Sequence, residues 1–113
     1  MEALAPKLIN TRQTVVAFLD PLSDFYERLL PLEVVEALYA DWHSDGLEVW
    51  LVVYRAGAAD RKQIYEEELG LMQAFPGLGL DTHLIDRTEV DPLTIVDLTA
   101  VDAFLRFPRL LHA

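Results

Sequence analysis

The densest set of reactive side chains in the sequence is Asp20, Ser23, Asp24 and Tyr26, two carboxylates, a hydroxyl and a phenol in one short segment. A serine where a helix begins is most simply a cap. The same hydroxyl lies near the positive end of a helix dipole, where an anion can be held. Arg55 and Asp86 join Asp20 as charged residues at expected strand ends, where open α/β sheets place their sites, although turns favour Asp for capping alone. His43, His83 and His112 are scattered, without a partner three or four residues along a helix, so no metal site is expected. There is no phosphate-binding glycine loop and no Gly-x-Ser-x-Gly elbow. No catalytic residue and no cofactor is therefore assigned. The absence of cysteine removes thiolate nucleophiles, disulfide exchange and cysteine-based zinc sites.

These residues need a scaffold, and the apolar pattern predicts one. Thr14 to Leu19 and Leu47 to Tyr54 are near-continuous apolar runs of strand length. Leu80 to Asp86 alternates, with Asp81 and His83 opposed to Leu80, Thr82 and Leu84, as a strand near an edge or an open face would. Asp20 caps a helix that has Pro21 in its first turn, with Phe25, Tyr26, Leu29 and Leu30 at helical spacing. Val34, Val35, Leu38, Tyr39 and Trp42 continue that spacing beyond Pro31, which predicts a kinked helix ended by Gly46. A second helix follows Asp60, with Gln63 completing a capping box, and runs to Phe75. Its buried stripe is read as Ile64, Tyr65, Leu69, Met72 and Phe75, and Glu66, Glu67 and Glu68 as its wet face. Leu93 to Leu98 reads as a short strand and Ala100 to Phe107 as a helix capped by Thr99. The resulting order is β-α-β-α-β-β-α, an α/β fold with right-handed crossovers and a partly parallel sheet.

A chain of 113 residues, 52% of them apolar, can close one core, so residues 1–113 are read as a single domain with residues 1–13 as an N-terminal extension. The apolar share exceeds the ~45–50% usual for soluble domains, which predicts that another chain covers part of the surface, with self-association the first expectation. A formal charge of −10 repels polyphosphate and argues against nucleic-acid binding. The same acid excess would steer a basic protein partner, while its plainest reading is a solvated acidic surface. No run of 18 apolar residues spans a membrane and no secretory signal opens the chain, so the expected location is cytoplasmic.

The segment Phe18, Leu19, Asp20, Pro21, Leu22, Ser23, Asp24, Phe25, Tyr26, running on to Pro31, resembles the active-site segment of thioredoxin-like proteins. Ser23 stands at the position of the first cysteine, Tyr26 at the second and Pro31 at the helix-kinking proline. Trp42 with Gly46, Leu47, Glu48 and Val49 resembles the segment that follows, and Leu84, Ile85, Asp86 and Arg87 the strand after the family's cis-proline, whose place falls at about Leu80 and is not proline. The resemblance implies a three-layer thioredoxin-like sandwich without its redox chemistry. It also implies a protein-binding surface around Asp20, Ser23, Asp24 and Tyr26, with the loop at Leu80 and Asp81 where relatives grip substrates. Two alternatives stay open: a small enzyme holding glutathione or another anion at the Ser23 helix start, and a purely structural homodimeric subunit.

Overall fold

The computed structural model describes residues 20–97 and 99–109. The expected strand Thr14 to Leu19, the extension at residues 1–13, Leu98 and His112 lie outside the described residues. Asp20 opens α1 (Pro21–Leu29) by accepting the Ser23 amide at 2.9 Å, and Pro21 takes the first helical position. Phe25 and Leu29 are its fully buried residues. Pro31 ends this helix instead of kinking it: a proline inside a helix removes a donor and clashes with the preceding turn.

Beyond Pro31 the structure corrects the helical expectation. β1 (Val35–His43) and β2 (Gly46–Val53) form an antiparallel hairpin in which Leu38 faces Leu51, Tyr39 faces Trp50 and His43 faces Gly46. Two residues, Ser44 and Asp45, make the turn, and Gly46 opens β2 opposite His43. Gly46 has φ +154°, and a Cβ on it would overlap the backbone of Gly79, its register partner on β3. The hairpin end can therefore lie on β3 only because both residues are glycine.

α2 (Ala58–Ala74) and β3 (Gly79–Asp86) form as expected, and β3 runs parallel to β2. Asp60 sits in the first turn of α2 and accepts the Gly57 amide at 2.9 Å, so it reaches back to the cap and is not the cap itself. The tail differs. Pro92–Thr94 is a 3-10 turn, because Asp91 accepts the Leu93 amide at 3.0 Å and Pro92 supplies a preset φ. The expected helix at Ala100 to Phe107 is instead β4 (Ala103–Arg106), antiparallel to β1, with Leu105 opposite Leu38 and Phe104 opposite Tyr39. Ala103 and Leu105 pack against the core together with buried Phe107, a period of two that a helix could not bury. Thr99 caps nothing; its amide and hydroxyl both donate to Asp97.

The chain is a mixed α/β fold with a four-stranded sheet, ordered β3-β2-β1-β4, and two α-helices. This order differs from that of a thioredoxin, and the element order over the described residues is α-β-β-α-β-β rather than the expected alternation. Among the described residues both helices lie on one face, where Phe25, Leu29, Ile64 and Leu71 pack on Leu47, Val49, Leu51 and Val53. The other face holds a smaller cluster of Tyr39, Val52, Ile85 and Val96, with the chain after β3 lying across it. The described residues thus make two layers of regular structure, not a three-layer sandwich. No helix among them is long and apolar enough to cross a membrane.

Candidate functional site

The residues singled out around the start of α1 are tied into structure. The Asp20 carboxylate takes both the Ser23 amide at 2.9 Å and the Ser23 hydroxyl at 3.1 Å, so the positive end of α1 already holds an anion of its own. Ser23 is capped and does not itself cap. Asp24 pairs with Arg28 at 3.3 Å one turn on, and Arg28 also reaches Glu67 on α2 at 3.6 Å. Tyr26 stacks on Phe107 with ring centroids 4.5 Å apart and donates its hydroxyl to the Arg106 carbonyl at 2.9 Å, joining α1 to the end of β4. The polar contacts of Asp20, Ser23 and Asp24 run within α1 and that of Tyr26 to β4, whereas Leu80 and Asp81 sit at the start of β3 beside the β1–β2 hairpin.

Asp86 is the one buried charged residue among those described. It accepts the amides of Arg55 at 3.2 Å, Ala56 at 3.1 Å and Thr88 at 3.1 Å, and the Thr88 hydroxyl at 2.6 Å. Burial alone would raise its pKa; the Thr88 hydroxyl and amide and the Arg55 and Ala56 amides outweigh that and hold it down at about 2, against an ordinary 3.8. Arg55 has φ +55°, a left-handed conformation unusual for a side chain of its size, and its amide is one of the four donors. Asp86 therefore pins the β2–α2 and β3 exit loops together, and its oxygens are engaged by the fold.

Two features of β3 are not absorbed in this way. The first is a cleft of about 180 Å³ between α2 and β3, lined by Arg61, Ile64, Tyr65, Glu68, Thr82 and Leu84. Only Ile64 and Leu71 of α2 are buried; Tyr65 is 67% exposed, Leu69 55% and Met72 37%, so three residues expected in the core face outward. Ile64, Glu68, Leu71 and Phe75 follow the inward row, which places on it a carboxylate that the sequence assigns to the wet face. Burial raises the pKa of Glu68. No ion-pair partner reaches it among the described residues, and beside it the buried Thr82 hydroxyl has no hydrogen-bond partner there. β3 lies at one end of the sheet order, so its outer edge has no neighbouring strand among the described residues.

The second feature lies on the opposite face, where the hairpin meets the start of β3. Glu48 receives His43 Nε2 on Oε1 and His83 Nε2 on Oε2, both at 2.8 Å, and Asp81 Oδ2 lies 3.4 Å from His83 Nε2. The His43 hydrogen bond to Glu48 raises the histidine's pKa, and the bonds from His43 and His83 lower that of Glu48. An open depression of about 290 Å³ adjoins the group, with His43, Glu48, Leu80 and Asp81 among its walls.

Comparison of the chain with protein-family models, with curated proteins and with solved structures gives no match. The geometry of the chain itself is thus the basis for a functional reading. Of the residues picked from sequence, Asp81 joins a polar cluster, while Asp20, Ser23, Asp24 and Tyr26 engage structural contacts. Helical spacing does not relate His43 and His83 to each other or to Glu48. On a strand, Asp81 and His83 share a face at a spacing of two, and Glu48 is the register partner of Asp81 on the adjacent strand.

Proposed function

We propose that this chain is a protein-binding module without redox chemistry, and that it works as a two-fold pair in which a second copy covers the α2–β3 face. The observation that carries this reading is the α2–β3 cleft, which has both a cation, Arg61, and a carboxylate, Glu68, on its walls. Arg61 marks one end and Glu68 the other, with Ile64, Tyr65 and Leu84 between them. Seven helical residues separate the two charges by roughly 10 Å along α2. A two-fold axis through the middle of the cleft sets α2 antiparallel to its copy and brings each Arg61 to the other chain's Glu68, as an isologous interface requires. The exposed Tyr65, Leu69 and Met72 provide the apolar contact, and the outer edge of β3, which no strand among the described residues covers, provides backbone groups for antiparallel pairing. The apolar surplus of the sequence agrees with a covered face. An anion or glutathione held at the start of α1 has less support, since Asp20 already occupies that helix end.

Light scattering coupled to size exclusion, at several concentrations and at about 0.15 M salt to screen the net charge, tests the pairing. The full chain is expected to be a dimer at tens of micromolar, and Leu69→Asp a monomer. Arg61→Glu and Glu68→Arg should each weaken the dimer, and the double variant Arg61→Glu/Glu68→Arg should restore it by exchanging the ends of the same pair. Arg61 also approaches Asp86 at 4.0 Å, so thermal melts of each variant separate loss of fold from loss of pairing. A wild-type monomer at every concentration, or a dimer unmoved by Leu69→Asp, overturns the reading.

A further inference from the structure

We propose that Glu48, Asp81 and His83 bind one divalent first-row transition-metal ion of the zinc type, with His43 orienting the Glu48 carboxylate from outside the first coordination sphere. One donor atom from each of the three lies within 4.8 Å of the others. Two donors about 2.0–2.1 Å from one ion stand roughly 2.9 Å apart at a right angle and about 3.4 Å apart at the tetrahedral angle. The observed separations from His83 Nε2, 2.8 Å to Glu48 and 3.4 Å to Asp81, fall at these two values.

The scaffold favours preorganisation. All three donors stand on β2 and β3, paired over eight residues, and Glu48 and Asp81 are adjacent in register. The His83 imidazole stacks on Trp50, its register partner, with centroids 5.4 Å apart, which limits rotation of the ring. His43 fixes the far oxygen of Glu48 at 2.8 Å, the kind of outer contact that sets ligand orientation. Charge agrees: the carboxylates of Glu48 and Asp81 supply two negative charges that a divalent ion balances. The donor set selects among ions. One imidazole nitrogen with carboxylates suits zinc and its neighbours, whereas calcium takes six to eight oxygen ligands and magnesium prefers oxygen and water. The adjoining depression leaves room for water to complete the coordination.

The site uses residues of one chain and does not depend on the pairing of copies. Calorimetric titration of the full chain with zinc chloride in a non-chelating buffer, repeated with cobalt(II) and read by visible absorption, tests it. Wild type should bind one ion per chain with micromolar affinity, and Leu69→Asp should bind equally. His83→Ala and Glu48→Gln should each weaken binding by at least tenfold, and His43→Ala by about tenfold, as outer-sphere partners do. His112→Ala should leave the affinity unchanged. Far-UV circular dichroism of each variant separates ligand loss from unfolding. No saturable zinc binding up to about 100 µM, an affinity weaker than about −5.5 kcal/mol, overturns the proposal. So does wild-type affinity in His83→Ala, or binding that disappears in Leu69→Asp.

Discussion

Replacing Asp86 by Asn should destabilise the fold by about 2–3 kcal/mol at neutral pH. A carboxyl held at a pKa of about 2 in the folded chain and 3.8 in the unfolded one contributes roughly 2 kcal/mol at neutral pH. The substitution keeps the size of the side chain but turns one oxygen into an NH2 group. That group then faces the Ala56 amide or the Thr88 and Arg55 donors, leaving at least one buried donor unsatisfied. The sign with pH follows from the lowered value. Stabilisation by Asp86 is complete above the unfolded pKa near 3.8 and is lost as pH falls through about 2. Urea denaturation followed by circular dichroism at pH 7, 5, 4, 3 and 2 measures this. At pH 7 the variant midpoint should lie about 1 M lower, with the slope unchanged. The gap between wild type and variant should stay constant down to about pH 4 and narrow below it. A gap under about 0.5 kcal/mol at pH 7, the usual range of a surface substitution, would refute the pinning role. A gap that does not narrow between pH 4 and pH 2 would refute the electrostatic account.

Other substitutions separate structural from functional roles at the sites first suggested by the sequence. Asp20→Ala should cost about 1 kcal/mol as a lost helix cap, while Ser23→Ala, which loses one exposed hydroxyl contact, should cost under about 0.5 kcal/mol; equal effects in chemical denaturation would reverse the assignment. Tyr26→Phe keeps the ring on Phe107 and loses the bond to the Arg106 carbonyl, so the same assay should read about 1 kcal/mol. Gly79→Ala places a methyl group against the Asp45 carbonyl at the hairpin turn and should cost at least about 2 kcal/mol in thermal unfolding; a neutral result would show that the hairpin end tolerates displacement.

The legible parts of the fold are those with local chemistry. Asp20 with Pro21 marks the start of α1, and β2, α2 and β3 follow from apolar runs of the right length and composition. β1 carries a helical pattern for a physical reason. It lies between β2 and β4 and buries side chains on both faces, Leu38 and Ala40 toward the helices and Tyr39 toward the other side. A central strand of this kind has no polar alternation, and its apolar residues also satisfy a helical period. β4 has four residues, too few to establish a period, and its identity depends on pairing with β1 from 60 or more residues away. On α2 the helical period of the sequence holds, and the buried face is rotated from the most apolar one. Glu68 occupies a place in the inward row, while Tyr65 and Leu69 lie outside it, and hydrophobicity alone assigns that row incorrectly. The polar cluster needed the register of two strands, which no spacing within one segment contains.

The two proposed activities meet on β3 because a strand presents alternate residues to opposite faces. Thr82 and Leu84 line the α2 cleft, and Asp81 and His83 stand on the face of Glu48. A strand buried on both faces and paired on both edges would have neither surface free. Among the described residues β3 is instead at the edge of the sheet, with helix cover on one face and an exposed polar group on the other. Antiparallel pairing through its outer edge would carry the opposite face with it, extending the sheet so that the His83 sites of both chains lie on one continuous surface. Edge pairing adds backbone hydrogen bonds without consuming the side chains of that face. Assembly and ion binding therefore use different atoms of the same strand, and a slip of one residue in its register with β2 would reverse its faces and abolish both.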